Sequence, residues 1–140
     1  MMMRYAIVWL TLAVAIAGGI GSLNLPTYRR LVAHGVAGHA TVVSLHPQDH
    51  NTVLYEYRVG GGMFRGQMQS WQPNPPLAQT NEGDSVVIFY DPAHPDVSVL
   101  GEPRGMLHNE TTFVGRAAIG LPTFIVIAWA FKESRKRAVT

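Results

Sequence analysis

The fold is decided by one stretch in the middle of the chain, residues 83–100, which reads G-D-S-V-V-I-F-Y-D-P-A-H-P-D-V-S-V-L. Residues 85–90 are apolar on both faces of an extended chain, which is typical of a strand enclosed on both sides. Residues 91–96 contain two prolines, whose fixed φ angles favour a turn. Residues 97–100 are then predicted as a second strand. The stretch therefore predicts a hairpin at the centre of a small β domain.

Three further strands are predicted upstream of this hairpin, because apolar and polar residues alternate there with a period of two. They lie at residues 39–45, 52–59 and 63–70. Three consecutive glycines at 60–62 adopt positive φ freely and favour a tight turn between the second and third strands. Five short strands within residues 38–100 predict a small antiparallel five-stranded β-barrel or sandwich of SH3-like or OB-like kind.

Two apolar stretches flank this β domain. The first is closed by Pro26, and residues 26–37 after it are predicted as a short connector. Residues 5–25 carry no formal charge and span roughly 30 Å as a helix, the thickness of a bilayer's hydrocarbon core. Residues 111–131 form the second stretch, in which Pro122 is expected to kink the helix. They predict two transmembrane helices and a membrane α+β fold. The alternatives are a cleaved signal peptide for the first stretch and a buried core helix for the second.

The distribution of charge orients the two predicted helices. The chain has 11 Lys and Arg against 9 Asp and Glu, yet residues 26–111 carry five bases against eight acids. The basic excess lies in Arg4 and in the tail at 132–140, and basic residues beside apolar segments mark the cytoplasmic side. We expect a multi-pass protein of the cell (inner) membrane, with both termini cytoplasmic and the β domain extracytoplasmic. The acidic middle segment argues against nucleic-acid binding, which needs clustered bases.

A further set of residues is predicted at the level of the lipid head groups, where aromatic rings and cations are favourable. This set consists of Tyr28, Arg29, Arg30, Arg116 and Lys132. Arg116 lies inside the second apolar stretch, and its long side chain is expected to reach the outer interface.

The loop after the third strand is the candidate contact surface for a partner. Residues 71–82 cannot continue a central strand, because prolines lack the donor that a ladder needs. The candidate contact residues are Trp71, Pro73, Pro75 and Pro76. An aromatic side chain beside a stiff loop can anchor in a partner's pocket at small entropic cost. The alternatives are that Trp71 closes one end of the barrel, or that the loop dips into the membrane interface.

All six histidines lie between residues 34 and 108, so a metal site has to be weighed. The candidate ligands are His46, Asp49, His50, Asp91, His94 and Asp96. Zinc needs three or four converging N and O donors. The six residues instead belong to two proline-containing turns, at 46–51 and 91–96, where polar residues are common anyway. We predict no cofactor, and a small-ligand or metal-binding membrane sensor that uses these turns stays as an alternative.

The sequence lacks the usual signatures of an enzyme. It has no cysteine, and no G-x-S-x-G, H-E-x-x-H or Walker pattern. Asp84 and Asp91 stand beside glycine or proline, where aspartate usually forms turns. We therefore predict no catalytic residue. A membrane-bound hydrolase is the second alternative, and it requires at least two of Asp49, Asp84, Asp91 and His94 in one pocket.

Several motifs together resemble a known family. They are G-H-A-T-V at 38–42, Y-E-Y-R-V-G at 55–60, F-R-G at 64–66 and G-D-x-V-x-I-x-Y-D-P-x-x-P at 83–95. Set between two apolar helices, this pattern resembles the bacterial membrane family called domain of unknown function 3592, over residues 5–131. His94 departs from it, because the family often has Asn before the second proline. The resemblance implies a two-helix membrane protein with an extracytoplasmic β domain and assigns no residue a catalytic role.

Taken together, these features predict a non-enzymatic integral membrane protein. Its extracytoplasmic β domain is expected to act as an interaction or accessory module for a membrane or envelope protein complex. The expected partners are the lipid bilayer and either a membrane or envelope protein or a second copy of the chain.

Overall fold

Two long helices flank five strands along the chain. The computed structural model describes residues 2–137, and the side chains of residues 3–135. The elements are α1 (Met2–His34), β1 (Val36–His46), β2 (Thr52–Val59), β3 (Gly62–Gln69), a short 3-10 helix (Leu77–Gln79), β4 (Ser85–Asp91), β5 (His94–Val99) and α2 (Pro103–Arg137). Residues 138–140 of the predicted basic tail lie outside the described residues. The chain divides into a helix-pair unit, residues 1–25 with 108–140, and a barrel unit, Pro26–Leu107.

The five strands form one antiparallel sheet in the order β3-β2-β1-β4-β5. The first and last strands of this order approach each other. The N–H of Leu100, just after β5, lies 2.9 Å from the Sδ atom of Met68 in β3. The N–H of Trp71, just after β3, donates to the carbonyl of Leu100 at 3.1 Å. The sheet is therefore nearly closed and barrel-like, and the predicted five-stranded antiparallel β domain is confirmed.

Turns and a bulge give the sheet its curvature. Gly60 and Gly61 have φ values of +55° and +83° and form the two-residue turn between β2 and β3, as the glycine run predicted. In β1 the register against β2 shifts between Val42 and Ser44, which leaves Val43 as an extra residue. A bulge of this kind bends a strand and increases its twist. It therefore helps β1 to curve around the barrel while pairing with both β2 and β4.

The barrel interior is filled by side chains from β1, β2 and β4 and by Leu100 just after β5, with the partly buried Phe64 and Met68 of β3 packed against them. The buried residues are Ala40, Val42, Val53, Tyr55, Tyr57, Val86, Ile88 and Leu100. Tyr55 is completely buried and stands opposite Gly66 of β3, where an added Cβ atom would overlap its ring. The Tyr55 hydroxyl lies 3.1 Å from Ser98 Oγ, so the one polar atom of this side chain is also satisfied.

The outer face of β4 explains why this strand is apolar on both sides. Val86 and Ile88 point into the barrel, whereas Phe89 packs on a second cluster made of Leu31, Val99 and Met106. Leu31 belongs to the end of α1 and Met106 to the start of α2. Each buried aliphatic side chain of this size contributes about 1.5–3 kcal/mol. These helix ends are therefore part of the barrel's own core.

The sequence pattern predicted a connector over residues 26–37, and this prediction is wrong. The helix α1 continues through Pro26 to His34, and β1 begins at Val36. The N–H of Gly35 still donates to the carbonyl of Leu31 at 2.9 Å. Proline in a helix interior costs about 3 kcal/mol, which the burial of Leu31 and the packing of Tyr28 beside it offset.

The helix-pair unit is an antiparallel pair. Near one end, the ring of Tyr5 meets the ring of Trp129 edge-on at 4.8 Å. Near the other end, Asn24 Nδ2 donates to Glu110 Oε1 at 3.2 Å. Both helices are long and apolar enough to cross a membrane. Their outer faces expose large apolar side chains, among them Ile7, Leu10, Val14, Ile119, Phe124, Ile127 and Phe131.

Candidate functional site at the Trp71 loop and the Arg30 ion pair

The loop between β3 and β4 carries the predicted partner contacts. Trp71, Pro73, Pro75 and Pro76 are all exposed to solvent. Two neighbouring hydroxyls hold the prolines in place. Ser70 Oγ donates to the carbonyl of Pro75 at 2.8 Å, and Thr80 Oγ1 donates to the carbonyl of Pro76 at 3.1 Å. The predicted contact residues therefore stand together on one ordered, exposed loop.

The residue that fixes this loop to the barrel is Asn74, which sequence reasoning missed. Its side-chain amide donates to the carbonyl of Val87 at 2.7 Å and accepts from the N–H of Val87 at 2.6 Å. The amide thus satisfies both backbone groups of one β4 residue, as a neighbouring strand would. Asn74 is almost completely buried between exposed prolines. Its only sequence signal was a polar residue in a proline-rich loop, which does not distinguish a buried bridge from an exposed turn.

The Trp71 side chain is partly packed against α2 and partly exposed to solvent. Its indole lies against Gly105 in the first turns of α2, where an added Cβ atom would come within 2.8 Å of Nε1. The carbonyl of Gln72 accepts from the N–H of Glu102 at 2.8 Å. Nevertheless, 36% of Trp71 remains exposed. The indole is not part of the barrel's interior cluster among the described residues, so it rests on the outside of the barrel unit.

Two open cavities are lined in part by this loop. One, of about 720 Å³, is lined by Trp71, Gln72, Pro73, Asn74, Glu102 and Gly105. Another, of about 620 Å³, lies between the β1–β2 turn and the 3-10 helix. Its lining includes Leu45, Pro47, Gln69, Pro76 and Leu77. Residues of the loop therefore line both depressions.

The predicted interface residue Arg30 makes the other notable arrangement of the barrel unit. Its guanidinium donates to the carboxylate of Asp91, and it also contacts the Nδ1 atom of His94. The Asp91 side chain is only 3% exposed, and its Oδ2 atom lies 3.6 Å from His94 Nδ1. The N–H of Ala93 donates to the other carboxylate oxygen at 2.8 Å. The ion pair therefore joins the last turns of α1 to the β4–β5 turn.

The environment of Asp91 favours its charged form. Burial alone would raise the pKa of the carboxyl group. The N–H of Ala93, the guanidinium of Arg30 and the nearby His94 together outweigh burial and hold the pKa below its usual range. Asp91 is therefore a carboxylate at neutral pH.

The other predicted interface residues have different surroundings. Tyr28 is half-buried and packs against the cluster of Leu31, Val99 and Met106. Arg29, Arg116 and Lys132 are exposed on their helices. Their placement at lipid head groups stays a prediction.

The candidate metal ligands are only partly brought together. Asp91 and His94 are neighbours, as described above, whereas Asp96 is exposed on β5. In the β1–β2 turn, His46 Nε2 lies 2.9 Å from Ser44 Oγ, and the carbonyl of Asp49 accepts from the N–H of Thr52 at 3.0 Å. His50 belongs to the same turn. Within residues 2–137, no group of three or more His, Asp and Glu side chains is arranged to hold a metal ion.

The carboxylates of the hydrolase alternative have local roles. Asp84 Oδ2 accepts from the N–H of Asn81 at 2.7 Å, which is the usual way in which aspartate stabilises a turn. Asp49 lies in the β1–β2 turn, and Asp91 is paired with Arg30. Of the four residues named for this alternative, Asp91 and His94 are the pair that lies close together.

Comparison with known proteins gives one match. A family profile described as "Domain of unknown function (DUF3592)" covers residues 31–105, more than half of the chain. The matched segment contains all five strands, the Trp71 loop and Asp91. No curated protein and no solved structure matches the chain.

Proposed function

Since the chain belongs to the DUF3592 family, whose description names a domain but no activity, we propose a function for it from its architecture. The protein is a non-enzymatic integral membrane protein. Its extracytoplasmic β domain acts as an interaction or accessory module for a membrane or envelope protein complex. The Trp71 loop is the contact surface of that module.

The observation that carries the membrane part is the exposed apolar surface of the helix pair. Residues such as Leu10, Phe124 and Phe131 are more than half exposed on the outside of α1 and α2. Each apolar side chain of this size gains about 1.5–3 kcal/mol when it leaves water. A bilayer provides that environment for all of them at once. This supports a membrane-spanning pair over soluble core helices, which would be mostly buried.

Charge and helix direction support the proposed topology. The antiparallel pairing brings the start of α1 and the end of α2 to the same end of the helix-pair unit, where Arg4 lies over the ring of Trp129. Basic residues collect at this end, as expected for the cytoplasmic side. Both termini are then cytoplasmic and the β domain extracytoplasmic. Reporter fusions after Thr140 and within residues 71–82 test this, because the proposal requires opposite compartments for the two fusions.

The barrel's connectivity supports an OB-like rather than an SH3-like description. The strand β1 pairs with both β2 and β4, and β3 approaches β5. Barrels of this kind bind their partners on outer strands and on loops that include the one between β1 and β2. In this chain the β1–β2 turn lines the cavity of about 620 Å³ beside Pro76. The acidic charge of the domain favours a protein partner over nucleic acid.

Site-specific photo-crosslinking in intact cells tests the interaction role. A crosslinking amino acid at position 73 or 76 is expected to give a discrete product with one membrane or envelope protein. The same amino acid at position 58, an exposed site on β2, is the matched control and should give none. Trp71→Ala should lower the yield, whereas Trp71→Phe should retain most of it. Equal yields at all three positions would count against the Trp71 loop, and a product containing only a second copy would identify self-association.

A further inference from the structure

The helix-pair unit has a small cavity at the end where α1 begins and α2 approaches its C-terminus. Its volume is about 310 Å³, and it is lined by Arg4, Trp129, Lys132 and Glu133. The two cations come from different helices. The cavity is therefore formed by the pairing of α1 with α2 and not by either helix alone.

Aromatic contacts fix one of these cations in place. The guanidinium carbon of Arg4 lies 4.7 Å from the centroid of a Trp129 ring, within the range of a cation–π interaction. The Trp129 ring is held in turn by the edge of Tyr5, with ring centroids 4.8 Å apart. Arg4 is thus positioned at the cavity by its contact with Trp129, and its planar group keeps several N–H donors for a ligand.

The acidic residue at the cavity already has a partner. The hydroxyl of Tyr5 donates to the carboxylate of Glu133. The sequence from 132 to 137 reads K-E-S-R-K-R, so this end of the unit is strongly positive.

We propose that this cavity binds the head group of an anionic phospholipid, with its phosphodiester between Arg4 and Lys132. Arginine offers a fork of donors and lysine a compact charge, and both are common ligands of phosphate oxygens. Tryptophan favours the interface between lipid tails and water. A basic cluster directly beside an apolar helix attracts anionic lipids. The inference rests on the proposed membrane-spanning role of the helix pair.

The test uses the full chain, extracted in mild detergent and exposed to an equimolar mixture of phosphatidylglycerol, phosphatidylethanolamine and phosphatidylcholine. Native mass spectrometry then counts the lipids that each protein molecule retains. We expect phosphatidylglycerol to be retained preferentially by the unaltered chain. Arg4→Gln and Lys132→Gln should each lower that preference about fivefold, the effect of one basic contact near an anionic lipid surface.

Arg135→Gln is the matched control, because it removes one charge from the same tail without changing the cavity lining. It should leave the preference for phosphatidylglycerol unchanged. Lys132→Arg keeps the positive charge and should show the same preference as the unaltered chain. An equal loss in Arg135→Gln would mean diffuse attraction to the tail and would overturn the site. Retention of phosphatidylethanolamine instead, or no preference in the unaltered chain, would also overturn it. Displacement of the lipid by inorganic phosphate would reassign the cavity to a free anion.

Alkaline carbonate extraction of cell membranes separates this inference from the proposed function. A chain that is released from membranes contradicts the membrane-spanning role itself. A chain that stays in the membrane but shows no preference among the three lipids contradicts only the head-group site. The lipid preference of the unaltered chain is decisive even where a variant fails to fold.

Discussion

The guanidinium of Arg30 in α1 donates to the carboxylate of Asp91 at the end of β4, which lies 61 residues further along the chain. The first residue is predicted at the membrane interface, and the second lies in the segment that matches the family profile. The pair therefore links the last turns of α1 to the barrel within one unit.

Loss of Arg30 should make the β domain less stable at neutral pH. Arg30→Gln leaves the carboxylate of Asp91 buried without its main cationic partner, which is unfavourable. Because the pKa of Asp91 is lowered in the folded state, its stabilising contribution is present above the ordinary carboxyl value of about 4 and is lost as pH falls through the folded pKa. The difference between the unaltered chain and Arg30→Gln should shrink in that acidic range.

Urea unfolding of the detergent-solubilised chain, followed at several pH values, measures this difference. The matched control is Arg29→Gln, since Arg29 is a neighbouring exposed cation. Equal destabilisation by Arg29→Gln and Arg30→Gln would contradict a specific role for the ion pair.

Ionisation of Tyr55 should destabilise the barrel in alkali. Burial raises the pKa of Tyr55 to about 12, and the hydrogen bond with Ser98 lowers it only in part. Between pH 10 and pH 12 the unfolded chain loses this proton and the folded chain keeps it, so stability falls by roughly 3 kcal/mol over that range. Tyr55→Phe should remove this part of the alkaline loss. Ser98→Ala keeps the phenol of Tyr55, so this variant should still lose stability in alkali in the same unfolding measurement.

Replacement of Asn74 should loosen the Trp71 loop. Asn74→Ala removes both hydrogen bonds to Val87 and leaves backbone groups of β4 without partners, at a cost of about 2–3 kcal/mol. Limited proteolysis between residues 71 and 84 should become faster. Asn74→Asp can still accept from Val87 but places a buried carboxylate oxygen against the Val87 carbonyl, so at neutral pH it should loosen the loop at least as much as Asn74→Ala. Asn81→Ala, at an exposed position of the same loop, should behave like the unaltered chain.

A side chain at position 66 should be poorly tolerated. An added Cβ atom overlaps the ring of Tyr55, and overpacking of this kind costs about 1–3 kcal/mol. Gly66→Ala should lower the free energy of unfolding by that amount. In a Tyr55→Val background the same change should cost much less, because the ring is gone. Additive effects in this double-mutant cycle would show that the two positions do not share space.

The barrel was largely predictable from local patterns. Alternation in residues 52–59 predicted β2 with its observed bounds, Thr52–Val59. The glycine run predicted the tight turn after it, and the motif at 83–95 identified the family. These features depend on the two-residue alternation of apolar and polar side chains and on the backbone freedom of glycine, and both can be recognised from the sequence alone.

The contacts between distant segments were not predictable in the same way. Pro26 was interpreted as the end of a helix, but burial of Leu31 against Val99 and Met106 extends the helix to His34. The ion pair of Arg30 with Asp91 was not foreseen because the two residues are 61 positions apart, and the placement of Arg30 at the membrane interface stays a prediction. Asn74 gave no signal, because its role depends on where the loop meets β4. Each of these outcomes is decided by tertiary packing, which a single sequence does not specify.

The pairing of Gly66 with Tyr55 across β2 and β3 has a consequence for the family's evolution. The two positions share one fixed volume inside the barrel, so a large residue on one strand requires a small one on the other. Family members are expected to exchange size between these positions, with a larger residue at 66 accompanied by a smaller one at 55. The residues at positions 55 and 66 are then expected to change together, and a change at either position alone would be selected against.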